Sequence, residues 1–226
     1  MKKHFYSALL MLILVLSANA QGNKLVFHAG GTLPIAKFGG NSIDEWVLLN
    51  TSSTTEKGCA SAGFYGGLQF NIGIFRGLDF TISLDAYYNS LNKKTLDDAL
   101  ITSISKTPKY FNIPLMAGIN YELNINRNLA FYIEGAAGGD LRYTTPLELT
   151  ILGITTKYSY PPTLAFAWRT GLGIVVADFL TFGVDYNSLG AHKAIMKYGE
   201  GNDTYISNNK LKVNLLSLKL GIRFGH

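Results

Sequence analysis

The residues of this chain that could do chemistry are charged side chains set singly into stretches of alternating polarity: Asp85, Glu122, Glu134, Asp140, Arg169, Asp185, Lys219 and Arg223. Each falls on the polar side of its stretch, and both signs are present. Charges withdrawn from water must meet a partner, because an isolated buried ion is very costly. The set therefore predicts an interior polar network of structural character. With a turn centred near Asp178, Arg169 lies diagonal to Asp185 on the following stretch, within reach for such side chains.

Chemistries that need a tighter constellation are not legible. Nucleophilic catalysis would need a hydroxyl, an imidazole and an acid in sequence. The imidazole candidates are His28, on the first alternating stretch, and His192, in the last long polar segment; His226 is terminal. Neither candidate has a Ser and a carboxylate at a definable position, so His28 reads as an interior histidine with hydrogen-bond partners. Gly171-Leu172-Gly173 sits within an extended stretch and precedes no helix, unlike a dinucleotide loop. No Cys/His cluster of ligand spacing occurs. Cys59 is the only cysteine, which excludes an internal disulfide and reads as a partly buried thiol. No enzyme activity and no cofactor are expected.

The elements that must position these residues are strands. From Leu78 to Asn89 the sequence reads LDFTISLDAYYN, with Leu78, Phe80, Ile82, Leu84, Ala86 and Tyr88 on one face and Asp79, Thr81, Ser83, Asp85, Tyr87 and Asn89 on the other. That is the period of a strand, whose successive side chains point to opposite faces. Comparable alternation runs over 24–33, 60–74, 110–123, 129–142, 164–176 and 180–187 and in the closing stretch to Phe224. Segments 34–58, 92–109, 143–163 and 188–210 are long and polar, whereas the links at Arg76-Gly77, Asn124 to Asn128 and Ala177 to Phe179 are short. Long loops on one side and tight turns with both termini on the other describe an eight-stranded antiparallel transmembrane β-barrel, an all-β fold.

Volume decides which face looks outward. The interior of an eight-stranded barrel is only just wide enough for its own side chains. The polar face carries Gly63, Gly67, Gly118, Gly138, Gly171, Gly173, Gly183 and Gly221, which suit a crowded interior. The Leu, Ile and Phe of the other face then meet lipid. Tyr88, Tyr110, Tyr121, Trp168, Tyr186 and Phe224 fall towards strand ends, where aromatic girdles belong. Composition agrees: 15% of residues are charged, against roughly a quarter in a typical globular chain, with 24 Gly, 13 Tyr and 13 Phe.

Residues 1–20 read as an export signal, with Lys2 and Lys3, an apolar run to Leu16 and the small-residue site Ala18-Asn19-Ala20. The mature domain is then 21–226, in a Gram-negative outer membrane. Removing Lys2 and Lys3 takes the formal charge from +5 to +3, too mild and scattered to argue for nucleic acid.

The segment YFNIPLMAGINYEL, from Tyr110 to Leu123, resembles the small outer-membrane β-barrels of Bacteroidetes, a group that includes PorT-like proteins and is related in architecture to the OmpA and OmpX barrels. The resemblance is carried by Ile113-Pro114-Leu115, Gly118 and Tyr121, and by GGTLPIAKFG from Gly30 to Gly39. The usual terminal aromatic is displaced here, since Gly225 and His226 follow Phe224. The expected function is a non-enzymatic barrel with four surface loops in a structural, adhesion or envelope-accessory role. The PorT-like resemblance implies a second reading, an accessory of protein secretion. A third is a lipid-modifying enzyme or a conduit for small hydrophobic solutes. Expected partners are outer-membrane lipid and lipopolysaccharide, with envelope or secretion proteins.

Overall fold

The computed structural model describes residues 22–40, 57–92, 103–151, 154–198 and 204–225; the expected export signal and parts of the long polar segments 34–58, 92–109 and 188–210, Ser52 and Gly199 among them, lie outside these. The strands are β1 (Lys24–Pro34), β2 (Ala60–Phe75), β3 (Leu78–Leu91), β4 (Ser103–Lys106), β5 (Lys109–Asn126), β6 (Leu129–Ile151), β7 (Ile154–Val176), β8 (Leu180–Tyr198) and β9 (Thr204–Phe224). All but β4 pair antiparallel in one ring, which β6–β7 closes; β4 pairs only with the far end of β6. This is the eight-stranded barrel that the alternation predicts. Closure leaves no strand edge within hydrocarbon, where an unpaired N–H or C=O has no partner.

The turns at one end are tight because their residues accept left-handed backbone. Gly77 has φ 73° and Ala177 and Asp178 have φ 51° and 60°. A Cβ on Gly77 would also strike the Glu122 carbonyl, where the Glu122 N–H donates to Gly77 O at 2.6 Å.

The facing follows the volume argument. Leu84, Leu115, Leu164, Phe166, Leu218 and Leu220 stand exposed on the outer surface, while Ser83, Asp85, Glu134, Arg169 and Ser217 are buried within. The inward glycines make room for named side chains: a Cβ on Gly67 would strike the Asp85 carboxylate, one on Gly171 the Asp185 carboxylate, and one on Gly183 the Tyr132 hydroxyl. From Leu78 to Tyr88 the rise along β3 is roughly 34 Å, which a strand tilt of about 40° reduces to about 25 Å, the height of an outer-membrane apolar band.

On the lipid face an aromatic row crosses four strands. Phe64 stacks on Tyr88 at 4.9 Å, Tyr88 meets Phe111 edge-on at 5.2 Å, and Phe111 meets Tyr143 at 6.3 Å. Trp168 packs on Tyr186 at 5.2 Å, and at the turn end Phe27 meets Phe224 at 5.7 Å. Tyr110 is not part of this girdle. It shares the inward face of β5 with Asn112, is fully buried, and donates its hydroxyl to Gly58 O at 2.7 Å.

The long polar segments are also more ordered than the sequence suggests. Most of 143–163 and 188–198 continues β6, β7 and β8 past the aromatic row, paired as far as Ile151↔Ile154 and Lys197↔Thr204. Alternation is lost there because register shifts fall between Arg142 and Thr144, Thr144 and Leu147, and Ser188 and Ala191. A bulge shifts the facing of every residue beyond it, so the sequence period breaks although the strand continues.

Candidate functional site

The inward faces of the strands stack their polar residues in tiers along the lumen. At the turn end, Lys24 lies 3.1 Å from Asp79 and 3.2 Å from Glu122. Arg223 lies 2.6 Å from Glu122 and donates from Nε to the Asp178 carbonyl at 2.9 Å. These contacts bind the first and last strands to β3, β5 and the β7–β8 turn.

The central tier holds the densest charge. The Arg169 guanidinium lies 2.8 Å from Asp85 and 3.1 Å from Glu134 and donates to Ser83 Oγ at 3.1 Å. Lys219 lies 2.8 Å from Glu134 and 3.3 Å from Asp185. His28 Nε2 donates to Asp85 at 2.6 Å, and Gln69 donates to Glu134 at 3.2 Å. Arg169 stands diagonal to Asp185, since Arg169 pairs with Asn187 and Gly171 with Asp185. The expected contact between them is replaced, however: Arg169 reaches across the lumen to Asp85 on β3 and diagonally to Glu134 on the adjacent β6, and Asp185 is served by Lys219 from the adjacent β9.

Above this tier, Tyr65 and Tyr87 stack at 4.9 Å, and the Tyr87 hydroxyl donates to Asn187 Oδ1 at 3.0 Å. Farther from the turns the lumen becomes apolar. Phe38, carried inward by a 3-10 turn at Ala36–Phe38, packs with Cys59, Leu147, Tyr160, Leu189, Leu211, Val213 and Leu215 in a buried cap. Arg142 lies over the Tyr110 ring at 4.9 Å from its centroid, beside that cap.

His192 lies on β8 and points into the lumen, not in a loop as the sequence suggests. Its Nε2 donates to Asp140 at 3.0 Å and to the Leu189 carbonyl at 2.9 Å, so Nδ1 accepts from the Thr163 hydroxyl at 3.0 Å. A hydroxyl, an imidazole and a carboxylate are thus in sequence. The imidazole and the acid are buried at the level of the apolar cap, and Leu189 beside them belongs to that cap. The relay ties β6, β7 and β8 together.

Arg142, Lys24 and Asp79 are absent from the predicted set, although Arg142 shares strand parity with its member Asp140 and Asp79 with its member Asp85, and Lys24 shares parity with the inward His28. Among the described residues no group of His, Cys, Asp and Glu is arranged to hold a metal ion. A cavity of about 20 Å³ remains between the turn-end and central tiers, lined by residues including Asn71, Asn120, Tyr132 and Lys219. That is room for about one water molecule.

No family model and no curated protein matches the sequence. Solved structures do. The outer membrane protein OprG of Pseudomonas aeruginosa is 9% identical over 92% of this chain and 98% of its own, with a TM-score of 0.53. Ail, the attachment invasion locus protein of Yersinia pestis, is 12% identical over 90% and 99%, with a TM-score of 0.48. Neisserial surface protein A is 14% identical over 92% and 99%, with a TM-score of 0.45. At such identities the likeness to OprG is one of fold. Together with the closed ring and the apolar outer belt, it makes the chain an outer-membrane β-barrel.

Proposed function

We propose that the barrel is sealed and works at its extracellular rim, in surface attachment or as an envelope accessory, without passing solute and without enzymatic turnover. The observation that carries this reading is the contrast between the two halves of the molecule. The lumen is filled by paired charges and an apolar cap, whereas β6–β7 and β8–β9 continue as paired strands beyond the aromatic row. Buried ion pairs contribute little net stability against an apolar filling, but they hold a fixed arrangement. In this reading Asp85, Glu122, Glu134, Asp140, Arg169, Asp185, Lys219 and Arg223 are a structural brace, and residues 1–20 direct export. Partners are reached from outside the cell, through the projecting sheet formed by β4, β6 and β7.

The test replaces residues 147–158 with a short turn in cells that otherwise lack the protein. The truncated barrel keeps its heat-dependent migration on SDS gels while the cells lose surface attachment. An epitope inserted between Ile151 and Ile154 is labelled on intact cells, and one beside Asn126 is not. Unchanged attachment contradicts the rim assignment. Loss of secreted proteins with attachment unchanged moves the role to the secretion accessory that the PorT-like resemblance implies.

A further inference from the structure

Just beyond the aromatic row, on the outer face of the wall, lies a groove lined by Lys106, Thr107, Lys109, Thr145, Pro146, Glu148 and Lys157, with a volume of about 430 Å³. The strand register builds it. Lys106 of β4 and Lys157 of β7 both pair with Glu148 of β6, so one carboxylate stands between two ammonium groups in a single row. The Lys106 Nζ–Glu148 distance is 2.8 Å, and Lys106 remains 66% exposed. Lys109 adds a third cation on β5, with its backbone N–H donating to Thr145 Oγ1 at 2.8 Å. Glu148 is ion-paired with Lys106, so one carboxylate balances one of the three lysines. The groove therefore carries a surplus of two positive charges and two threonine hydroxyls.

Its level in the membrane identifies its occupant. Lys109 stands two residues beyond Phe111, and Thr145 two beyond Tyr143, so with strands tilted by about 40° the groove begins roughly 5 Å outside the aromatic row, and the row of Lys106, Glu148 and Lys157 follows three residues farther out. Aromatic girdles mark the boundary of the hydrocarbon, so this is the depth of the headgroups. A phosphomonoester carries between one and two negative charges near neutral pH, which matches the surplus. Lys binds phosphate as a point charge, and basic pockets at this depth recognise anionic lipid headgroups. The geometry points to a site for the headgroup phosphate of a phosphorylated glycolipid of the outer leaflet, held against β4, β6 and β7 at the base of the projecting sheet. The inference rests on the outer-membrane placement of the barrel and not on the attachment role.

The test is lipid binding by the full mature barrel in detergent, read by native mass spectrometry with bisphosphorylated lipid A, the same lipid dephosphorylated, and inorganic phosphate as separate probes. The wild type retains bisphosphorylated lipid A. The combined Lys106→Gln, Lys109→Gln and Lys157→Gln variant binds it roughly a hundredfold more weakly, since each of the three lysines near an anionic surface contributes about a factor of five. Dephosphorylated lipid binds both proteins at the weak level, and inorganic phosphate does not displace the lipid at equal concentration. Equal binding by wild type and variant overturns the site, as does phosphate competing at equal concentration, which would make this a free-anion site. Both proteins are checked for heat-dependent migration, so a failed site is distinguishable from an unfolded barrel. Attachment of cells carrying the variant is measured separately, so a failure of the rim reading is distinguishable as well.

Discussion

Arg169 and Asp85 lie 84 residues apart on β7 and β3, strands that share no backbone pairing, yet their side chains meet at 2.8 Å across the lumen. A contact of this kind fixes the separation of opposite walls, which the ladder hydrogen bonds alone leave adjustable. Glu134 is held by the same guanidinium at 3.1 Å, so one cation serves two buried carboxylates.

Removing that cation leaves both acids short of a partner inside a closed wall. Arg169→Met is expected to destabilise the folded barrel by about 3–5 kcal/mol, the cost of breaking a buried ion pair from one side. The midpoint of urea unfolding in detergent measures it. A midpoint equal to that of the wild type would mean that Asp85 and Glu134 find other partners.

The facing of β9 predicts opposite responses at adjacent positions. Leu218 is exposed to lipid, and Ser217 is buried and accepts a hydrogen bond from Asn187 at 3.0 Å. Leu218→Arg costs roughly 2–4 kcal/mol at mid-membrane depth, and Leu84→Arg on β3 behaves alike. Ser217→Ala costs about 1 kcal/mol, the net worth of one hydrogen bond. Folding titrations into lipid vesicles separate the two, and equal effects would contradict the assignment of faces.

An inward and an outward glycine give a third contrast. Gly171→Ala places a methyl group against the Asp185 carboxylate and is expected to cost about 1–3 kcal/mol through overpacking. Gly135→Ala meets nothing within 4 Å and is expected to change stability by less than about 0.5 kcal/mol. The same unfolding assay decides, and a tolerated Gly171→Ala would mean that the interior is looser than described.

The membrane-spanning part of this fold was legible because lipid outside and a crowded lumen inside impose opposite demands on successive residues. Gly67, Leu68 and Gln69 already show both demands in three positions. Even the Arg169–Asp185 diagonal could be read, because a three-residue turn fixes register. The partner of Arg169 could not be, since nothing in a strand's own sequence states which opposite strand faces it. Tyr110 was misplaced for a related reason: an aromatic at a strand end suggests a girdle, and only its shared parity with Asn112 shows that it points inward. The apolar cap was hidden because Phe38 enters from a single turn outside any alternating stretch. The projecting strands escaped notice because bulges past Arg142 and Ser188 break the period.

The most direct test of the sealed-barrel account is conductance. Purified mature protein, refolded and checked for heat-dependent migration, is inserted into a planar lipid bilayer under an applied voltage. The packed tiers around Arg169 and Lys219 and the cap around Phe38 predict no stable conductance steps above the bare membrane. Discrete, long-lived open steps from the wild-type barrel would show a continuous aqueous path through those tiers and contradict a function confined to the rim.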